Sequence, residues 1–195
     1  MKLALIMLAA GNSRRFGSNK LLFPVDGRPM YLHTLEALLE VKRTLAPELK
    51  CSVTVVTQYE EIEKKALEAG AQVLINPRPK EGISSSLKIG LHANVEADAC
   101  LFAVSDQPHL TAKTVEEMIR AYRISQKGMG CLCLDPEGTK TGNPCIFSRK
   151  YYRELLALSG DSGGKRVLLR HPGDICFYLV RDSEQLTDVD ENHLK

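Results

Sequence analysis

Short runs of aliphatic and β-branched residues alternate along the chain with longer stretches whose apolar positions recur every three or four residues. Lys2–Leu8 is an apolar run leading to a glycine, the pattern of a strand buried on both faces. Pro29 suits the first turn of a helix reaching about Val41, with Leu32, Leu35, Leu38 and Leu39 on one face. Cys51–Thr57 reads as a second strand, rich in Val and Thr. Tyr59–Ala69 is a charged amphipathic helix with Gly70 as its stop, and Gln72–Ile75 is a third strand ending at Asn76-Pro77. Beyond Gly82 the pattern predicts a helix over Ile83–Val95. The apolar strand Ala97–Val104 then enters Ser105-Asp106-Gln107-Pro108, and Thr111 caps a helix to about Ser125. Four strands alternating with four helices predict an α/β fold, three-layered and Rossmann-like, with a mostly parallel sheet.

After Gly128 the rhythm changes. Met129–Leu134 and Cys145–Phe147 read as strands, with a turn at Asp135-Pro136-Glu137-Gly138. A helix over Ser148–Leu158 stops at Gly160. The loop Gly160-Asp161-Ser162-Gly163-Gly164, a short helix Lys165–Arg170, a last strand Asp174–Val180 and a polar tail follow. No repeat, low-complexity tract or linker interrupts the chain, so residues 1–195 are expected to form a single domain.

Composition narrows the function. A chain of 195 residues is about one domain long and buries roughly 70% of its unfolded surface, so it needs no disulfide or metal staple. The formal charge is only +2, no basic run exceeds two residues and there is no Trp, which argues against a nucleic-acid partner. No stretch approaches the roughly 20 apolar residues that span a bilayer, and the short apolar start reads better as a strand than as a leader. No membrane partner is therefore expected, and the predicted location is the cytoplasm. Four of the six cysteines (Cys51, Cys100, Cys131 and Cys133) lie in strand-like runs, and no CxxC pair occurs. They read as reduced thiols rather than a metal site. The five histidines are scattered without metal-ligand spacing; His109, after the Asp106 turn, is read as a surface residue.

The stretch with most chemistry runs from Leu8 to Lys20. It follows the first strand, where open parallel sheets bind ligands beyond their C-terminal strand ends. The small residues Ala9, Ala10 and Gly11 allow a base or phosphate to approach the backbone, Gly17 permits a further turn, and exposed amides there form an anion nest. Arg15 and Lys20 add two cations suited to a polyphosphate, while Ser13 either donates to a phosphate or closes the turn. The spacing fits neither G-x-x-x-x-G-K-[ST] nor G-x-G-x-x-G.

Leu8-Ala9-Ala10-Gly11, Ser13, Arg15, Gly17 and Lys20 together resemble the signature L-A-A-G-x-S-x-R-x-G-x-x-K of Rossmann-like nucleotidyltransferases. Further stretches resemble the molybdenum cofactor cytidylyltransferase branch of the MobA-like NTP transferases. These are Gly82-Ile83-Ser84-Ser85-Ser86-Leu87, Asp106-Gln107-Pro108-His109-Leu110, Gly142-Asn143-Pro144 and Leu158-Ser159-Gly160-Asp161-Ser162-Gly163-Gly164-Lys165. Two departures stand out: Asn143 replaces a common His, and Asp188-Val189-Asp190-Glu191-Asn192-His193 lacks the usual Thr-Pro.

The resemblance implies a Mg²⁺-dependent transfer of CMP from CTP to a phosphorylated acceptor, molybdopterin, with release of pyrophosphate and a molybdenum hydroxylase as client. Residues 1–125 would form the nucleotide-binding half and 126–195 the acceptor-binding half. Arg15, Lys20 and Asp106 would be catalytic. Leu8, Ala9, Ala10, Gly11, Ser13, Gly17, Gly82 and Ser86 would bind nucleotide, and Asn143 and Asp161 the acceptor. Mg²⁺ favours carboxylate and phosphate oxygens, making Asp106 the best ligand, with Asp188 and Asp190 as further candidates. Asp161 suits metal or acceptor. Ser86 either meets the base or ribose or simply begins a helix, and Ala10 favours cytosine over guanine. Two other readings stay open: the same chemistry on a sugar or polyol phosphate, and a non-catalytic chaperone for the molybdenum cofactor.

Overall fold

The computed structural model describes residues 1–11 and 19–189. Ser13, Arg15, Gly17 and Asp190 lie outside them. The strands are β1 (Lys2–Ala9), β2 (Pro24–Val25), β3 (Arg28–Pro29), β4 (Lys50–Thr57), β5 (Gln72–Ile75), β6 (Ala99–Val104), β7 (Met129–Cys133), β8 (Thr141–Ser148) and β9 (Ile175–Leu179). The helices are α1 (Met30–Leu45), α2 (Glu60–Glu68), α3 (Ile83–Ala93), α4 (Ala112–Ser125), α5 (Tyr152–Leu156) and α6 (Lys165–Arg170). Seven strands form one sheet in the order β5-β4-β1-β6-β8-β7-β9, and β2 pairs with β3 alone.

β1 is the central strand of the parallel half, running beside β4 from Lys2↔Lys50 to Ala9↔Thr57 and beside β6 from Leu3↔Ala99. Only β8 runs against its neighbours β6 and β7; β9 returns parallel to β7. The mostly parallel three-layer architecture expected from the pattern is the one observed.

Alternation along β1 separates two cores, as the period of a strand requires. Leu3, Leu5 and Met7 pack with Leu35, Leu38 and Val41 of α1, Ile62 of α2 and Val115, Met118 and Ile119 of α4. Ala4, Ile6 and Leu8 pack with Leu87 and Leu91 of α3, Leu155 of α5 and Val167 of α6. Both faces are covered, which is why β1 reads as an unbroken apolar run. Gly90 lets α3 sit close: a Cβ there would lie 2.6 Å from Ile6 Cγ2.

Several boundaries differ from the pattern reading. α1 continues past Val41 to Leu45, because Leu45 is one turn on and fully buried beneath the polar Lys42-Arg43-Thr44. The β2–β3 hairpin was not expected, although Asp26-Gly27 is its turn, with both residues at positive φ (49° and 76°). β8 begins at Thr141 rather than Cys145, its Gly142-Asn143-Pro144 accommodated by a register shift opposite Cys131/Leu132. The expected helix over Ser148–Leu158 is a 3₁₀ turn, Arg149–Tyr151, followed by the short α5. All six cysteines are free thiols, but Cys51 and Cys176 are only half-buried.

At the sheet edge where β7 and β9 begin, Asp174 ties three segments together. It accepts from Gly128 N–H at 3.0 Å, Tyr151 O–H at 2.5 Å and Lys150 Nζ at 2.7 Å. The Lys150 and Tyr151 hydrogen bonds hold its carboxyl down at about 2, against 3.8 ordinarily. A depressed carboxyl stabilises the fold above its unfolded pKa, and that contribution is lost as pH falls through the folded value. Asp174→Asn is therefore expected to lower unfolding free energy at pH 7 by on the order of 1–2 kcal/mol, allowing for its partial exposure. Urea titrations should show the gap to the parent narrowing from about pH 4 down to pH 2.

Candidate active site

β4, β1 and β6 end side by side, and their first loop residues form the floor of the site. Four consecutive carbonyls beyond or at the end of β1 accept from side chains of the flanking strand ends. Ser105 O–H donates to Leu8 O (2.9 Å), Thr57 O–H to Ala9 O (2.9 Å), Gln58 Nε2 to Ala10 O (2.9 Å) and Tyr59 O–H to Gly11 O (2.5 Å). Thr57 Oγ1 also accepts the Tyr59 N–H at 3.1 Å, linking two of these clamps. Since a trans peptide directs its N–H opposite its C=O, the clamps fix which way the amides of this segment face. Thr57, Gln58, Tyr59 and Ser105 had no role in the sequence reading. The only cue was their place at the ends of predicted strands.

Above this floor lies a cavity of about 390 Å³. Leu8, Ala10, Gly11, Lys20, Gly82, Ser86, Asp106 and Asp161 of the expected set all border it, together with Pro79 and Ile83. Residues far apart in sequence thus meet in one place. Lys20 Nζ lies 2.7 Å from Asp106 Oδ2, the two side chains retaining 18% and 22% of their exposure. A charge pair so far out of water is costly to break without replacement charges. Lys20 opens a 3₁₀ turn, Lys20–Leu22, capped by Asn19, whose Oδ1 accepts the Leu21 N–H at 3.1 Å.

The opposite wall comes from α3 and the loop before α6. Ser84 N–H donates to Gly160 O at 3.2 Å, bringing Asp161 to the nucleotide-side cavity and not beside Asn143. Gly82 makes this contact possible: φ is +88°, and a Cβ would meet Gly160 C at 2.4 Å. Ser86 is buried and accepts from Asn76 Nδ2 at 2.9 Å. Ala9, by contrast, turns its side chain into the core beneath α1.

Asn143 and Asp188 border a second cavity of about 210 Å³ with Gln107, Thr141, Cys145 and Lys165. Asp188 Oδ1 accepts from Gln107 Nε2 at 2.9 Å, and Val189 N–H donates to Asp106 O at 3.0 Å, so the tail is pinned across the Asp106 turn. Gln107 is buried, and its Oε1 has no hydrogen-bond partner among the described residues. His109 is exposed. Among the described residues no group of three or more His, Cys, Asp or Glu is placed to hold a metal ion, and no helix is long and apolar enough to cross a membrane. A single carboxylate is nevertheless the protein contribution that Mg²⁺ needs when phosphate oxygens and water complete its shell.

Small residues, a cation and a carboxylate around one cavity at the strand ends of an open α/β sheet suit a nucleotidyltransferase. The chain matches the MobA-like NTP transferase domain over residues 5–175 and belongs to that family. It is 30% identical to a probable molybdenum cofactor guanylyltransferase of Pyrococcus horikoshii, over 92% of this chain and 88% of that one. A protein of the same name from Thermococcus sibiricus is 29% identical over 62% of this chain, the match spanning 56% of its own length. Purine catabolism protein PucB of Bacillus subtilis is 26% identical over 95% of this chain and 90% of that one. Among solved structures, a nucleotidyl transferase from Methanothermobacter thermautotroptrophicus has a TM-score of 0.76 at 19% identity, covering 96% of this chain and 91% of that one. CMP:2-keto-3-deoxy-manno-octonic acid synthetase complexed with CTP has 0.71 at 17%, covering 92% and 90%. These two likenesses concern the fold.

Gly82→Ala is expected to separate α3 from the 160–164 loop, since neither backbone can yield 1 Å without breaking the Ser84–Gly160 hydrogen bond. Its melting temperature should fall by several degrees, for a cost on the order of 1–2 kcal/mol. Calorimetric titration should show nucleotide affinity reduced about tenfold or more.

Proposed function

We propose that this nucleotidyltransferase moves CMP from CTP to molybdopterin and releases pyrophosphate. The observation that carries the reading is the cavity that the Lys20–Asp106 pair borders together with Ala10, Gly11, Ile83 and Ser86. The small residues suit a flat base against the backbone, and the charged pair suits a triphosphate.

An oxygen of the acceptor's phosphate attacks the α-phosphorus. That P–O bond forms as the bond to the bridging oxygen breaks, and pyrophosphate leaves with the electron pair. Such in-line displacement depends on alignment and on balancing charge. Lys20 leaves Asp106 for the phosphates when nucleotide enters, and its ammonium stabilises the charge that builds on pyrophosphate. Arg15, outside the described residues, is proposed to share that task with the help of Ser13 and Gly17. Asp106 would hold Mg²⁺ through its carboxylate, and the ion would supply further neutralisation of phosphate charge when bound. Asp188, and Asp190 beyond the described residues, remain proposed contributors there, and Gly82 keeps the α3 wall close. Asn143 borders the second cavity, where the acceptor would extend toward Lys165, and Asp161 borders the first.

Support for the acceptor comes from the Pyrococcus horikoshii relative, a probable molybdenum cofactor guanylyltransferase, and support for CTP from the resemblance of Ala9-Ala10-Gly11 to cytidylyl-transferring relatives. That same relative's name, guanylyltransferase, favours a second reading in which GTP is the donor. Incubating the protein with Mg²⁺, molybdopterin and each NTP in turn, and measuring pyrophosphate, separates them. Release with CTP is expected; release with GTP alone transfers the proposal to guanylyl chemistry. Release only with a sugar or polyol phosphate would replace the acceptor, and molybdopterin binding without any release would leave a chaperone. Asp106→Ala is expected to lower kcat by on the order of 10²-fold, as read from single-turnover rates.

A further inference from the structure

Asn76 follows β5 and is 2% exposed, and its backbone N–H and both ends of its side-chain amide have partners. Its N–H donates to Thr57 O at 2.7 Å, and its Oδ1 accepts the Arg78 N–H at 2.9 Å. The second contact fixes the amide's orientation, because a flipped amide would set N–H against N–H. Nδ2 therefore points its two hydrogens at Ser85 Oγ (2.8 Å) and Ser86 Oγ (2.9 Å). Ser85 passes its proton to Gly82 O at 2.8 Å. Ser86 accepts from Asn76, and its own proton has no acceptor among the described residues.

Asn76 fills one lone pair of the Ser86 hydroxyl and turns its proton away from the amide, and a buried donor left unpaired is costly. Ser86 borders the nucleotide cavity; Asn76 does not, bordering a different cavity of about 640 Å³. We infer that Asn76 is a specificity-determining positioning residue: it aims the Ser86 proton at the nucleotide, favouring a base whose facing edge is richer in acceptors. The location of the base rests on the functional reading above; the direction of the hydroxyl does not. On its pairing edge cytosine has two acceptors, N3 and O2, beside one donor at N4, whereas guanine has two donors, N1–H and N2–H, beside the single acceptor O6.

The inference predicts a reversal. In Asn76→Asp the carboxylate still accepts from Arg78 N–H but can no longer donate, so both serine hydroxyls turn toward it and Ser86 presents lone pairs to the cavity. Equilibrium Kd values for Mg·CTP and Mg·GTP, measured by calorimetry, read this whether or not the molybdopterin reaction proceeds. The CTP-over-GTP preference is expected to shift toward GTP by about tenfold in Asn76→Asp. It is expected to weaken in Ser86→Ala and to survive in Ser86→Thr, which keeps the hydroxyl. The double variant Asn76→Asp/Ser86→Ala should show the preference of Ser86→Ala alone. An Asn76→Asp protein that melts near the parent yet keeps the parent's preference overturns the inference, as does an undiminished effect of Asn76→Asp in the Ser86→Ala background. Should Asn76→Asp not fold, equal preferences for Ser86→Ala and Ser86→Thr overturn it, and a loss confined to Ala supports it. If CTP and GTP bind as expected but no pyrophosphate is released, the transfer reaction fails and the Asn76 inference stands.

Discussion

Where β1 gives way to its loop, Leu8, Ala9, Ala10 and Gly11 each surrender a carbonyl to a side chain at the end of β4 or β6. A loop of small residues has little packing of its own and would otherwise sample many conformations. Clamping successive peptide planes removes that freedom before any ligand arrives, the preorganisation that electrostatic binding of phosphates requires. The requirement explains why polar residues stand at the strand ends: Thr57, Gln58, Tyr59 and Ser105 take over where the backbone ladder ends.

The clamped floor sets the position of everything above it. Asp106 follows β6 by two residues and faces Lys20, which the capped turn after the loop returns to the same edge. The two charges satisfy each other across 86 residues of sequence. Partly buried charges keep their partners unless a ligand offers better ones, so the pair is both a structural tie and a poised binding site.

Around this centre the antiparallel strand β8 changes the direction of the sheet and lines the second cavity. Small residues, Ser86 and the Lys20–Asp106 pair border the first cavity, and the buried Gln107 borders the second with Asn143 and Lys165. The tail crosses between them, held by Gln107 on Asp188 and by Val189 on Asp106. The glycine contact between Gly82 and Gly160 then ties the α6 loop to the nucleotide wall, so the late part of the chain contributes to the first cavity as well as the second.

Periodicity by itself determined the α/β class and the order in which strands and helices appear, and motif resemblance singled out Lys20, Asp106, Gly82 and Ser86, which border one cavity. Those properties are local: an apolar run, a cap or a glycine spacing carries its meaning within a few residues. The hairpin at Asp26-Gly27 was also legible but is too short to show in a hydrophobic pattern. The extension of β8 through Gly142-Asn143-Pro144 was not, because turn-forming residues were held in a strand by pairing with β7. Only the tertiary structure decided that Asp161 sits with the nucleotide residues while Asn143 and Asp188 share another cavity. It alone revealed that Asn76 donates to Ser86 and that Gln58 and Tyr59 hold the carbonyls of Ala10 and Gly11. Hydrogen bonds between residues tens of positions apart leave no periodic trace, since each depends on where the sheet brings two strand ends together.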